Sequence, residues 1–334
     1  DSLAALQLFQ AVSSEHPGDG EALRGIGQAH LAMDHAGRAE DAFQSALSVD
    51  AKDMAAREGV RASRAVPPAF EATVWAGNSA DGGDIGLRSA EVASWIRKDT
   101  RLAIRYDNSL SLDNPALARA GIEAETWFVN AQHNFEGGPT LIAEIGQRQL
   151  PGNADQQIYK IEGVQSVGGV ALKVGAQLSP HSDGYDDQLA FGGASFGLGE
   201  RVSLDTTLFL SKYGSAEDEE IRAAVFAEYK DPEGWTLGAG IGAGDISSST
   251  PGVAGSVSTA HVIGSVPVAG RHSAFVQWRW EQSPLDDYST VMVGMTFRLL
   301  ERPAPSGTVP CHSRPAPPGN PISRKLPWWV TRLG

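Results

Sequence analysis

Three patterns in the chain have residue types that could do chemistry. Gly193-Ala194-Ser195-Phe196-Gly197 matches G-x-S-x-G, the nucleophile elbow that presents a serine hydroxyl on a strained strand-to-helix turn. Gly238, Gly240, Gly242 and Gly244, in LGAGIGAGD, have the glycine density of a phosphate-cradling loop. The third pattern is the most extensive, because charged residues recur at alternate positions along much of the chain. They are Arg101, Arg105 and Asp107; Glu123 and Glu125; Lys160 and Glu162; Lys173; Asp205; Arg222, Glu228 and Lys230; Arg279 and Glu281; and Arg298. The eight His are scattered without H-x-H or H-E-x-x-H spacing, and a single Cys builds neither a disulfide nor a thiolate cluster. Neither a metal site nor a cofactor is expected.

The elements around the first two patterns argue against the chemistry they suggest. An elbow needs a helix after its serine, whereas Gln188 to Leu198 alternates as a strand, ends at Gly199-Glu200 and enters another strand. A hydrolase is therefore the weakest functional reading. The four glycines recur at strict period two with no helix behind them. They fit one face of a strand, where the wall curves or a neighbouring side chain needs room. His133 and His261 fall within strands and read as solvated polar residues.

The chain has 334 residues, 41% hydrophobic and 20% charged, with a net charge of −13. It has enough apolar material to fold, and its acidic balance opposes a nucleic-acid partner, whose phosphates call for a basic surface. No stretch approaches the roughly 18 to 20 consecutive apolar residues of a membrane-spanning helix, which leaves β-barrels open.

Residues 1–65 read as helices with an internal repeat. Leu23, Ile26, Gly27, His30, Ala39, Phe43, Ala46 and Leu47 resemble the tetratricopeptide pattern, departing from it at the Trp slot (Leu23), the Tyr slot (His30) and the Pro slot (Ala51). Shifted back by 34 residues, Phe43 falls on Phe9, Ala39 on Ala5 and Ala51 on Pro17. A further helix over about 53–64 caps the array. Because the pattern opens on the second helix of a repeat, a truncated array is expected. Such a segment is either a partner-binding scaffold or a spacer, since His30, His35 and Arg38 are too few to define a peptide groove.

After Ala65-Val66-Pro67-Pro68 the period changes from about 3.6 to 2. Residues 66–68 are a linker, and residues 69–300 divide into fourteen alternating segments, the fourth expected over 121–135, with no helical signal anywhere among them. Tight turns at 98–99, 137–138, 168–169, 199–200, 232–234 and 269–270 alternate strictly with longer links. This is the organisation of an up-and-down transmembrane β-barrel with its short turns at one rim and its loops at the other. An even strand number puts both ends of the barrel at the short-turn rim.

The two faces of the strands differ in kind. Ala274, Val276, Trp278 and Trp280, like Val291, Val293, Met295, Phe297 and Leu299, share apolar faces, while the charges named above share the opposite ones. A soluble sandwich would bury the apolar faces. A membrane barrel turns them to lipid and lines a wet lumen with the charges, and the frequency of charge favours the barrel. Trp75, Trp95 and Trp127 alternate with Glu71, Arg97 and Glu123. They are expected on the lumen row, where aromatic rings either stack on sugar faces or plug the core, although girdles use the same residues. Residues 301–334, with eight Pro and a net charge of +4, lack any period and read as a disordered tail.

The run DYSTVMVGMTFRLL, from Asp287 to Leu300, is similar to the terminal assembly signal of outer-membrane barrels, with Gly294, Phe297 and Leu299 at its recognisable positions. Residues 70–300, entered from a tetratricopeptide segment, resemble the YaiO-type outer-membrane barrels. More distantly they resemble the repeat-and-barrel proteins of exopolysaccharide export. The resemblance implies a barrel in the lipid bilayer of the bacterial outer membrane and repeat helices in the periplasm contacting a protein partner. It also implies porin-like passage of a polysaccharide. The alternative is an envelope scaffold whose barrel is only an anchor.

Overall fold

Two aspartates set the frame of the N-terminal helices. Asp19 caps one helix by accepting hydrogen bonds from the backbone N–H groups of Glu21 and Ala22. Asp53, 34 positions later, caps another by accepting from Ala56. The computed structural model describes residues 2–299 other than 34, 67, 98, 114, 151–153, 213, 215–218, 247–254, 269–271 and 285–286. The tail over 301–334 lies outside the described residues.

The helices are α1 (Ser2–Glu15), α2 (Gly20–Ala32), α3 (Ala36–Val49) and α4 (Met54–Ala65). They pack in chain order as antiparallel neighbours through glycine–aromatic contacts. The ring of Phe9 fills the space a Cβ would take at Gly25, and the ring of Phe43 does the same at Gly59 and Gly27. The Phe9–Gly25 and Phe43–Gly59 pairs repeat at the spacing of the two aspartate caps. Ala39, Phe43 and Val60 form the buried core of this unit. Arg24 joins the repeat ends by its 2.5 Å ion pair to Asp53, and Arg64 reaches Glu40 at 2.8 Å.

Residues 71–297 form a second compact unit. Its strands begin with β1 (Phe70–Asn78), β2 (Ile85–Trp95) and β3 (Thr100–Asp107), followed by α5 (Ser109–Asp113) and α6 (Pro115–Ala120). Then come β4 (Thr126–Asn134), β5 (Thr140–Leu150), β6 (Ala154–Val167), β7 (Val170–Pro180), β8 (Asp186–Leu198) and β9 (Val202–Lys212). The last five are β10 (Glu220–Lys230), β11 (Thr236–Ile246), β12 (Gly255–Pro267), β13 (Ser273–Gln282) and β14 (Asp287–Leu299). Each strand pairs with its chain neighbours and β1 meets β14, so the sheet closes into a fourteen-stranded antiparallel barrel with no free edge.

Alternation sorts the side chains by face. Leu102, Ile104, Val129, Ile145, Ile161, Val174, Ile241, Val276 and Val293 are all exposed on the outside. Trp127 and Tyr106, register partners 5.2 Å apart, stand on that face at the long-loop end, the place of an aromatic girdle. This exterior is built for hydrocarbon, and none of the described helices is long and apolar enough to cross a membrane.

Two features differ from the sequence reading. The link between β3 and β4 contains α5 and α6, whose five and six residues are too short to show a 3.6-residue period. Pro115, at the first position of α6, was the available signal. Link lengths also do not alternate strictly, since the connection over 151–153 is as short as the turns of the opposite rim.

Candidate functional site in the barrel interior

The inward faces carry a network of paired charges. Arg101 lies 2.5 Å from Glu91 and 3.6 Å from Glu71, while Arg105 reaches Glu144 across β4 at 3.0 Å. Lys160 lies 3.5 Å from Glu162, and Lys173 pairs with Asp205 at 2.5 Å. Farther round the wall Arg222 meets Glu220 (3.0 Å), Lys230 meets Glu228 (3.2 Å) and Arg279 meets Glu281 (2.6 Å). Turned toward lipid, each Arg would cost roughly 2 to 4 kcal/mol near the midplane. Inside, each of these cations has a carboxylate within 3.5 Å.

Aromatic side chains pack among these pairs by lying over glycines. Phe128 covers Gly146, Phe191 covers Gly175, and Phe226 covers Gly238 and Gly240. His261 stacks on Phe226 with centroids 5.2 Å apart and 14° between planes. The period-two glycines of β11 thus make room for an inward Phe, His261 and the aliphatic part of Arg222. Phe191, Phe209 and Phe226, with Leu189 and Ala224, form an apolar cluster on one side of the interior. Arg105 lies 4.3 Å over the ring of Phe128.

The long link between β3 and β4 bonds to the inner wall. The Ser109 hydroxyl donates to Asp107 at 2.6 Å, and the Ala80 N–H donates to the Leu112 carbonyl at 2.5 Å. Asp113, at the end of α5, lies 2.5 Å from Arg88 of β2 and 3.6 Å from Arg279 of β13. Arg88, fully buried, also donates to the carbonyl of Asn78.

Arg101, Arg105, Asp107, Lys160, Glu162, Lys173, Asp205, Arg222, Glu228, Arg279 and Glu281 all fall on inward rows. Trp75 is inward as well, its ring 3.6 Å from Phe275, and Trp95 shares the row of Glu91. Three of the expected lumen residues lie elsewhere. Trp127 is 57% exposed on the lipid-facing side, because the inward row of β4 is Thr126, Phe128, Asn130 and Gln132. Glu123 and Glu125 precede β4, which starts at Thr126, so alternation could not orient them. Glu123 is exposed, and Glu125 accepts a 3.0 Å hydrogen bond from the Tyr106 hydroxyl at the outer rim. Arg298 has inward parity but sits exposed near the end of β14.

Of the assembly-signal positions, Gly294 faces inward beneath Phe275, and Phe297 is half-buried, 5.7 Å from His272. The Leu299 side chain lies outside the described residues. Ser195 sits within β8 rather than on a turn, and its hydroxyl donates to Asp205, which also accepts from Thr207 at 3.2 Å.

Sequence reasoning missed Arg88 and Asp113. Strict alternation through β2 would turn Arg88 outward, but Arg88 and Ser89 are both buried, so the parity breaks between them.

No protein-family model and no curated protein matches the chain. Among solved structures the barrel is similar to a bacterial polysaccharide outer membrane secretin, with 13% identity over 70% of this chain and 100% of that chain and a TM-score of 0.51. Lower scores come from the outer membrane protein Omp33 of Acinetobacter baumannii (13% identity, 70% and 100% covered, TM-score 0.46) and the KdgM porin (10%, 69% and 99%, 0.40). The fold is that of an outer-membrane β-barrel.

Proposed function

We propose that this chain is an outer-membrane conduit of the porin-like kind, serving polysaccharide export. Its N-terminal helices act as a tetratricopeptide-type periplasmic scaffold for a protein partner, in the manner of the YaiO-type barrels. The observation that carries the reading is the inner wall, where most charges of the strands are directed inward and many are paired, while the outer face between the strand ends is apolar. A wall of paired charges and aromatic rings suits a hydrated polymer rich in hydroxyls. It offers hydrogen bonds and ring faces at every level without one dominant field. The likeness to a polysaccharide outer membrane secretin is consistent with this reading. The reading assigns no catalytic step, and Ser195 serves as a ligand of the Lys173–Asp205 pair.

A second reading, an anchor with a filled barrel, is favoured by the near-complete burial of inward residues such as Phe209, Gln277 and Thr290. Conductance of the purified protein in planar bilayers separates the two. The conduit predicts discrete current steps, at least after deletion of residues 109–120. Silence both with and without that segment would overturn it.

A further inference from the structure

We propose that the inner wall around Arg279 is a binding site for an anionic sugar unit, and that Asp113 occupies its charge-recognising end. Asp113 sits on two guanidiniums, Arg88 at 2.5 Å and Arg279 at 3.6 Å, and Arg279 is also held by Glu281 at 2.6 Å. Among these four bonded groups two are cationic and two anionic. Withdrawing Asp113 leaves one positive charge, which a single carboxylate restores. Arg88 still has a buried Nε without an acceptor, so its binding capacity is not spent.

The second observation is independent of charge. Gln277, two residues before Arg279 on the same inward row, is fully buried with neither carboxamide atom bonded. Thr290, the register partner of Arg279 on β14, is fully buried with its hydroxyl unbonded. Thr259, the register partner of Glu281 on β12, is likewise without a hydrogen bond. Buried polar groups are normally satisfied, and three adjacent exceptions around one guanidinium form a set of donors and acceptors that call for hydroxyl partners. A carboxylate beside several hydroxyls is the chemistry of an acidic sugar. The segment carrying Asp113 is the cover, tied to the β1–β2 link by the Ala80–Leu112 backbone bond and to the wall by Asp113 itself.

This inference rests on the conduit reading, because a saccharide reaches the wall only through the lumen. The test is calorimetric titration of the full-length protein folded in detergent. The probe is a tetrasaccharide of alternating glucuronate and N-acetylglucosamine, and neutral cellotetraose is the control. Asp113→Asn frees the site from its internal competitor, so the acidic tetrasaccharide is expected to bind at least about tenfold more tightly than to the unaltered protein, with cellotetraose unchanged. Gln277→Leu added to Asp113→Asn should remove most of that gain while the barrel stays heat-modifiable on a gel; Asp113→Ala replaces Asp113→Asn if the latter does not fold. No gain, an equal gain for cellotetraose, or a gain that survives Gln277→Leu because only water satisfies the amide, would each overturn the site. Current without tetrasaccharide binding removes the site and keeps the conduit. Binding with no current in either form removes the conduit and keeps the site.

Discussion

The ring of Phe275 lies over Gly294, its register partner on β14, and against the ring of Trp75 on β1. Three strands at the seam of the barrel are thus locked by one ring over a glycine and a second ring against the first. A β-branched side chain at 294 has no space to enter. Gly294→Val should cost about 1 to 3 kcal/mol through overpacking and sharply lower the yield of heat-modifiable barrel. At Gly264 the nearest atom to an added Cβ is 3.9 Å away, so Gly264→Ala is the matched control and should fold normally.

The two faces of β14 respond oppositely to charge. Val293 stands exposed on the outside between Val291 and Met295, in the apolar belt. Val293→Arg should weaken insertion into lipid vesicles by roughly 2 to 4 kcal/mol, read as a shift in the urea midpoint of folding. Val293→Leu should be silent. Equal folding of both variants would mean that the belt does not meet hydrocarbon.

The helical unit depends on one side chain. Phe43 is buried against Gly27, Gly59, Ala39 and Val60, touching three helices at once. Phe43→Ala should cost about 3 to 5 kcal/mol and melt α2 to α4 at lower temperature. The fall in ellipticity at 222 nm measures this. The gel mobility of the barrel should not change.

Acid should loosen the same unit through Asp53. The Ala56 N–H and then the Arg24 guanidinium favour its charged form and hold its carboxyl below the usual carboxylate range. A depressed pKa contributes stability that is present above the unfolded value, about 3.9, and is lost as pH falls through the folded one. Helical ellipticity should therefore hold from neutral pH to about pH 4 and decline below it. Asp53→Asn, which keeps the cap but not the charge, should show a lower plateau and a shallower decline over that window.

What the sequence made legible followed the regularity of each element. Period two over long strands gave the strand number and the inward rows, because one buried face forces every residue of a strand into register. The 34-residue spacing of Phe9 and Phe43 gave the helix pairs. Where regularity stopped, inference stopped with it. The strand expected over 121–135 begins only at Thr126, so Glu123 and Glu125 lent a false orientation to Trp127. The parity break at Arg88-Ser89 concealed the partner of Asp113. The unbonded amide of Gln277 depends on which neighbours surround it in space, which no periodicity encodes.

Closure of the barrel has a kinetic consequence. The Thr73 hydroxyl bonds that of Thr296 across 223 positions, and the Val291 N–H donates to the Asn78 side chain across 213. Contacts of such sequence separation form only after the loop-closure entropy of nearly the whole unit has been met, which makes closure of the β1–β14 seam costly in entropy. Until then both strands present open edges. An unclosed chain must be kept from pairing with its neighbours by a holding factor or by prompt delivery to lipid.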